Sequence, residues 1–184
     1  MANQPKSVNE IRKNAKMMAA YLAYAKKRVI LNEVMFYVNK GNNYESIYKK
    51  YLDSKSKDQV NCDSKVYKAG DMLAKNSDWE NKAWPKIIAM GKKSVGNSLD
   101  SDLGAFYSSS FYKDYMVKSN MGSPAKAAKI LGISDPKKLK LMMEAQVVGN
   151  KKLAKKLWDE IAKKEKIKDK YESTMKTLQK SGLV

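Results

Sequence analysis

Helix start and stop signals recur along the whole chain, and no stretch alternates apolar and polar residues long enough to make a half-buried strand. Ser7-Val8-Asn9-Glu10 has capping-box spacing, and a helical pattern follows unbroken to Lys40 before Gly41. Tyr44–Leu52 and Ser64–Lys75 read as shorter helices around a polar loop at 54–63. Ser77-Asp78-Trp79-Glu80 repeats the capping-box spacing, with Pro85 marking a kink or fresh start. Gly91–Ser98 reads as a loop, and Asp100 or Ser101 opens a Tyr-rich helix to Asn120. Beyond it, Ser123-Pro124 starts a helix that Gly132 ends, Asp135-Pro136 starts one that Gly149 ends, and a last helix runs from Asn150 to Lys180. The expected fold is all-α: an N-terminal helical arm over 1–43, a helical core over 44–122 and a Lys-rich helical extension over 123–184.

The 184 residues include 37 Lys+Arg, 19 Asp+Glu and no His, a net charge of +18, with 43% hydrophobic residues to build a core. Without histidine there is no Ser-His-Asp triad, Cys-His dyad or HExxH zinc site, and the single Cys62 excludes an intrachain disulfide framework. Asp100/Asp102 and Asp159/Glu160 fit a helix start and a charged helix face better than paired catalytic carboxylates. Gly91-Lys92-Lys93 lacks Walker spacing before it. The expectation is a protein that is not an enzyme and needs no cofactor, metal or small-molecule substrate. The start does not read as a secretory signal and no window reads as a membrane span.

An excess of 18 positive charges points to a polyanionic partner, nucleic acid ahead of an anionic membrane surface. All the basic residues but Arg12 and Arg28 are Lys, which suits phosphate neutralisation better than bidentate base reading.

Within the first helix, Val8, Ile11, Ala15, Met18, Leu22, Ala25 and Val29 are spaced 3,4,3,4,3,4, and Phe36 lies a heptad further on. That is a coiled-coil-like seam for self-association. At roughly 100° per residue, Arg12, Lys13, Lys16, Lys26 and Lys27 fall opposite the seam, interleaved with Ala19, Ala20 and Ala23. Small residues between cations let a helix approach phosphates closely, with its two cationic groups about 21 Å of helix rise apart. Glu10 is the one acidic residue among the first 32, unlike an ordinary solvated face of mixed sign. The expected DNA contacts are these cations with Lys6, Arg28 and Lys40, joined by Lys49, Lys50, Lys92 and Lys93. The expected self-assembly surface combines Val8, Ile11, Met18, Leu22, Val29 and Phe36 with Phe106, Tyr107 and Phe111. Tyr107, Tyr112 and Tyr115 could stack on bases of a single strand, although a core or interface role is commoner.

Pro124-Ala125-Lys126-Ala127-Ala128-Lys129-Ile130-Leu131-Gly132-Ile133-Ser134, with Leu139 and Met142-Met143, looks like a helix-turn-helix. Its second helix offers Lys137, Lys138 and Lys140 where Arg, Asn or Gln would read bases, which also fits a plain helical corner.

Lys82-Ala83-Trp84-Pro85-Lys86-Ile87-Ile88-Ala89-Met90-Gly91, then Leu103-Gly104-Ala105-Phe106-Tyr107-Ser108-Ser109-Ser110-Phe111, resembles the central segment of major coat proteins of rod-shaped and filamentous archaeal viruses. The resemblance implies an all-helical coat subunit whose N-terminal arm wraps linear double-stranded DNA. Such subunits dimerise, with themselves or a paralogous coat protein, and stack into a helical nucleocapsid in the virion, assembled in the host cytoplasm. It leaves open whether lipid surrounds the particle and what the C-terminal helices do. A second set, Ile47-Tyr48-Lys49-Lys50-Tyr51-Leu52, Val60-Asn61-Cys62-Asp63-Ser64 and Phe106-x-x-Ser109-x-x-Tyr112, resembles pieces of a regulator of G-protein signalling domain. There Asn61 would orient a catalytic glutamine of Gα, but Asn32–Tyr37 lies too close to Ile47 for that family's helical hairpin, and Ala105 stands where an Arg is usual.

Overall fold

The computed structural model describes residues 4–184 and is all-α, with no strand among the described residues. The chain forms two compact units, one up to Tyr112 and one of Lys113–Val184. The first contains α1 (Val8–Ile11), α2 (Ala15–Lys27), α3 (Leu31–Val38), α4 (Tyr44–Ile47), α5 (Ser64–Lys75), α6 (Trp84–Ser101), α7 (Leu103–Ser108) and the start of α8 (Ser110–Asn120). A π-helical turn, Tyr48–Leu52, prolongs α4. The second unit takes the rest of α8, then α9 (Pro124–Leu131), α10 (Pro136–Val147), α11 (Lys151–Glu165) and α12 (Tyr171–Lys180).

The continuous N-terminal helix expected from the pattern is instead three helices. Ser7 accepts the Glu10 N–H (3.2 Å) as the capping box requires, but the Glu10 carboxylate takes the Lys6 N–H (2.7 Å). Asn14 then caps α2 by accepting the Met17 N–H (3.0 Å), and this second start resets the helical phase. The face of α2 turned to the core is therefore Met17, Tyr21, Tyr24 and Ala25, about a quarter turn from the expected seam. Aromatic area decides this rotation. Tyr21, fully buried, and Tyr24 meet Phe106 at 5.1 and 5.4 Å between ring centres, while Ala15 on the expected seam is exposed. Past the end of α2, Val29 lies in the left-handed region at φ 61°, and the Ile30 N–H closes the end onto the Ala25 carbonyl (3.0 Å). The segment 1–43 is thus no separate arm within its described part: Val8, Ile11, Tyr21, Val34 and Phe36 belong to the core of the first unit.

α6 is the axis of that unit. It buries Trp84, Ile87, Ile88, Val95 and Leu99, and it runs straight through 91–98, where a loop was expected. The glycines there admit neighbours: a Cβ on Gly91 would stand 3.1 Å from Phe36 and 3.2 Å from Val66, and one on Gly96 only 2.6 Å from the Tyr37 ring. The expected capping box at Ser77 starts no helix; Ser77 itself lies at φ 51° after α5, and α6 begins at Trp84 with Pro85 in its first turn. The Tyr-rich helix expected to reach Asn120 is broken after Asp102 and again at Ser109, whose hydroxyl caps α8 by accepting the Tyr112 N–H (3.3 Å).

In the second unit the boundaries fall on their signals. Ser123 caps α9 through the Lys126 N–H (3.3 Å), Asp135 caps α10 through Lys137 (2.9 Å) and Asn150 caps α11 through Leu153 (3.1 Å). The final helix alone differs from expectation, because Lys166 adopts φ 56° and the chain folds back before α12. The Trp158 indole N–H holds the return by donating to the Asp169 carbonyl (3.1 Å). Leu139, Met142, Met143, Trp158, Ile161, Met175 and Leu178 form the core of this unit.

Candidate nucleic-acid interface

The outer face of α2 carries Lys16, Lys26 and Lys27 with Ala19 and Ala23 between them, all exposed, and Ala20 half-buried. Lys16 and Lys26 are separated by about 15 Å of helix rise. Lys16, Lys26 and the neighbouring exposed Lys13 make no ion pair among the described residues. Lys27 lies over the half-buried Phe111 ring, 6.0 Å from its centre, which aligns its stem along an aromatic surface. The interleaved alanine and lysine face expected from the sequence is thus on the surface, but Arg12, beyond the break, is not part of the same helix.

Several expected contacts are already engaged. The Arg28 guanidinium meets Asp102 (3.4 Å), which also accepts the Tyr24 hydroxyl (2.6 Å). Lys92 is half-buried and donates to the Asn39 carbonyl, closing the C-terminal end of α3; burial chiefly, and the Arg12 charge next, lower its pKa. Lys49 pairs with Glu45 one turn away, and Lys50 lies 5.3 Å from the centre of the Tyr51 ring. Lys6, Lys40 and Lys93 are exposed, while Arg12 is half-buried.

The expected self-assembly surface is corrected more deeply. Val8, Ile11, Phe36 and Phe106 have no exposed area, because they close the core of their own unit, and so cannot meet a second subunit in this fold. Met18, Leu22, Tyr107 and Phe111 are half-buried, and Val29 is 87% exposed. Tyr107 and Tyr112 take the packing role read as commoner than base stacking: the two rings pack edge to face at 4.9 Å, and the Tyr107 hydroxyl donates to the Pro5 carbonyl.

Of the two carboxylates read as a helix start, Asp100 lies in the last turn of α6, while Asp102 both ends α6 and begins α7. Asp100 accepts the Val8 N–H (2.8 Å), capping α1 from 92 residues away. No local pattern announces such a pairing. Desolvation and the hydrogen bond to Asp102 push the Tyr24 hydroxyl up to about 12. Asn61 is exposed, and its backbone N–H reaches the Glu33 carboxylate at 3.4 Å.

The remaining lysines concentrate in the second unit, which holds eighteen against eight carboxylates. On α11, Lys151, Lys152, Lys155, Lys156 and Lys163 are all exposed. α9 and α10 meet at Gly132, at φ 66°, and α10 packs against both α9 and α11. Glu160 pairs with Lys138, and Lys164 with Asp135 (3.8 Å), so the turn end of α10 is fastened to α11 by charge. Among the described residues no helix is long and apolar enough to cross a membrane. Comparison with family models, with curated proteins and with solved structures finds no match to this chain.

Proposed function

We propose that this protein binds double-stranded nucleic acid through its phosphates, with little sequence preference, and packages it as the coat subunit of a helical nucleocapsid in a virion. The observation that carries the reading is the outer face of α2, where exposed Lys16, Lys26 and Lys27 alternate with alanines and no carboxylate intervenes. A duplex lying along that face contacts lysine stems without a large side chain to hold it away, and each neutralised phosphate releases counterions. The resemblance of 82–91 and 103–111 to archaeal virus coat proteins supports the packaging form, and those segments contribute Trp84, Ile87, Ile88, Leu103 and Phe106 to the core.

The test is duplex binding across a salt series. Replacing Lys16, Lys26 and Lys27 together by Gln should flatten the slope of log affinity against log salt by about three, one for each lost phosphate contact, with helicity unchanged by circular dichroism. An unchanged slope removes α2 from the interface. Electron microscopy of the chain with linear duplex separates packaging, seen as regular filaments, from discrete complexes.

A second reading, a helix-turn-helix binder, is favoured by the left-handed Gly132 between the capped helices α9 and α10 and by the packing of α10 against both α9 and α11. Competition between one duplex and bulk DNA distinguishes the two, since a preference of a thousandfold or more belongs to sequence-specific recognition.

A further inference from the structure

We infer that the second unit docks an acidic amphipathic helix of a partner protein in the groove formed by α8, α10 and the start of α11. The groove encloses about 830 Å³ and is built entirely from residues of Lys113–Val184. Its floor is apolar: Val117, Met121, Leu141, Ala145, Leu153 and Leu157. Leu141 is 53% exposed and Leu153 44%, so two branched side chains that could have joined the core face water on either side of one depression. A contiguous apolar surface of this kind, rimmed by charge, marks a binding face.

The rim identifies the occupant. Lys113, Lys118 and Lys140 border the groove, with Asp114 and Glu144, and Lys140 already neutralises Glu144 (3.5 Å). Lys137, exposed, lies one turn before Leu141 on the same stripe of α10, and exposed Lys156 flanks Leu157 on α11. Charge at the rim is therefore positive over an apolar floor. A partner helix with leucine-like residues at i, i+3 or i+4 and i+7, and Asp or Glu beside them, satisfies both. The twelve residues of α10 span about 18 Å, the length of three turns of such a helix. Phosphates gain nothing from the floor, and a second copy of the chain brings a like excess of lysines.

The test is fluorescence anisotropy of the full chain in about 0.15 M salt, where the Debye length is about 8 Å. The probe is a labelled helical peptide with one Leu stripe and Glu elsewhere. Its controls are a twin with Lys in place of Glu and a scrambled Glu peptide without the stripe. The striped Glu peptide should bind saturably and at least tenfold tighter than either control. Leu141→Ser with Leu153→Ser should weaken it at least tenfold with an unchanged circular dichroism spectrum; Lys113→Glu with Lys118→Glu, at exposed positions, should do the same if the serine variant fails to fold. Equal binding of the scrambled peptide reduces the effect to bulk charge and overturns the proposal, as does the absence of binding. A dimer of the parent chain that the serine variant dissociates, seen by sedimentation, assigns the groove to a second copy and overturns it too.

Discussion

Gly132 and Gly149 in the second unit sit at φ 66° and 80°, each with nothing within 4 Å of where a Cβ would be. Gly91 and Gly96 in the first unit lie inside α6, where a Cβ would press on Phe36, Val66 or Tyr37. The first pair is present for backbone freedom and the second for room. The ends of α9 and α10 in the second unit follow from chemistry within a few residues: a Ser or Asp that caps, then a glycine that turns left-handed. Breaks in the first unit follow from which rings reach the core. There the left-handed position after α2 falls on Val29, a β-branched residue for which that conformation is unfavourable, because burying Tyr21 and Tyr24 against Phe106 fixes where α2 must stop.

The largest expected effect tests that account directly. Phe106 has ring neighbours in Tyr21, Tyr24, Tyr107 and Tyr112 between 5.1 and 5.4 Å, so Phe106→Ala should cost about 3–5 kcal/mol. Hydrogen exchange should show the loss in α2 and α6, while amides of α10 and α11 keep their protection. Equal loss in α10 and α11 would mean that the two units unfold as one.

Gly91→Ala comes next. The introduced methyl lies 3.1 and 3.2 Å from two buried side chains, Phe36 and Val66, and crowding of this kind costs about 1–3 kcal/mol. Alanine's better helix propensity returns about 0.5–1 kcal/mol of that cost, so a net stabilisation of this size in urea denaturation would show that α3 and α5 retreat freely from α6, and that room is not the reason for the glycine.

Smaller, and opposite in sign, are the effects at one left-handed helix end in each unit, Gly132 and Val29. Gly132→Ala meets no atom and should still lose about 1 kcal/mol, because only its backbone is strained. Val29→Gly relieves the same strain and should gain about 1 kcal/mol, the side chain being 87% exposed and contributing little packing. If Val29→Gly instead destabilises, the valine makes a contact that matters more than its backbone.

The same contrast explains what could be read from the sequence. The all-α class, α5 from Ser64 to Lys75, and the starts of α9, α10 and α11 were legible because their signals are local. The exposed lysines and alanines of α2 were legible too, since a helical period places them together whatever the helix packs against. The seam was not, because Val8 and Ile11 belong to α1 while Met18 and Leu22 belong to α2, and Asn14 between them breaks the phase. Nor could Asp102 be assigned its role, as its partners Tyr24 and Arg28 are 78 and 74 residues distant. The groove of the second unit was hidden for the same reason: Val117, Leu141 and Leu153 each look like ordinary core residues until three helices place them around one depression.

The Tyr24–Asp102 bond yields an effect that belongs to the first unit alone and grows only at high pH. Burial and the neighbouring carboxylate raise the Tyr24 hydroxyl from the ordinary tyrosine value to about 12. Its proton is therefore held more tightly in the folded chain than in the unfolded one. The associated stability is complete below about pH 10, the usual pKa of tyrosine, and is lost as pH climbs through 12. Tyr24→Phe removes that titration together with the hydrogen bond, so the variant should begin less stable at neutral pH and lose less between pH 10 and 12 than the parent. Urea midpoints at pH 8, 10 and 11.5 measure both slopes; parallel curves would show that Tyr24 holds its proton no more tightly in the folded chain than in the unfolded one, and that the bond holds α2 to the end of α6 without responding to pH.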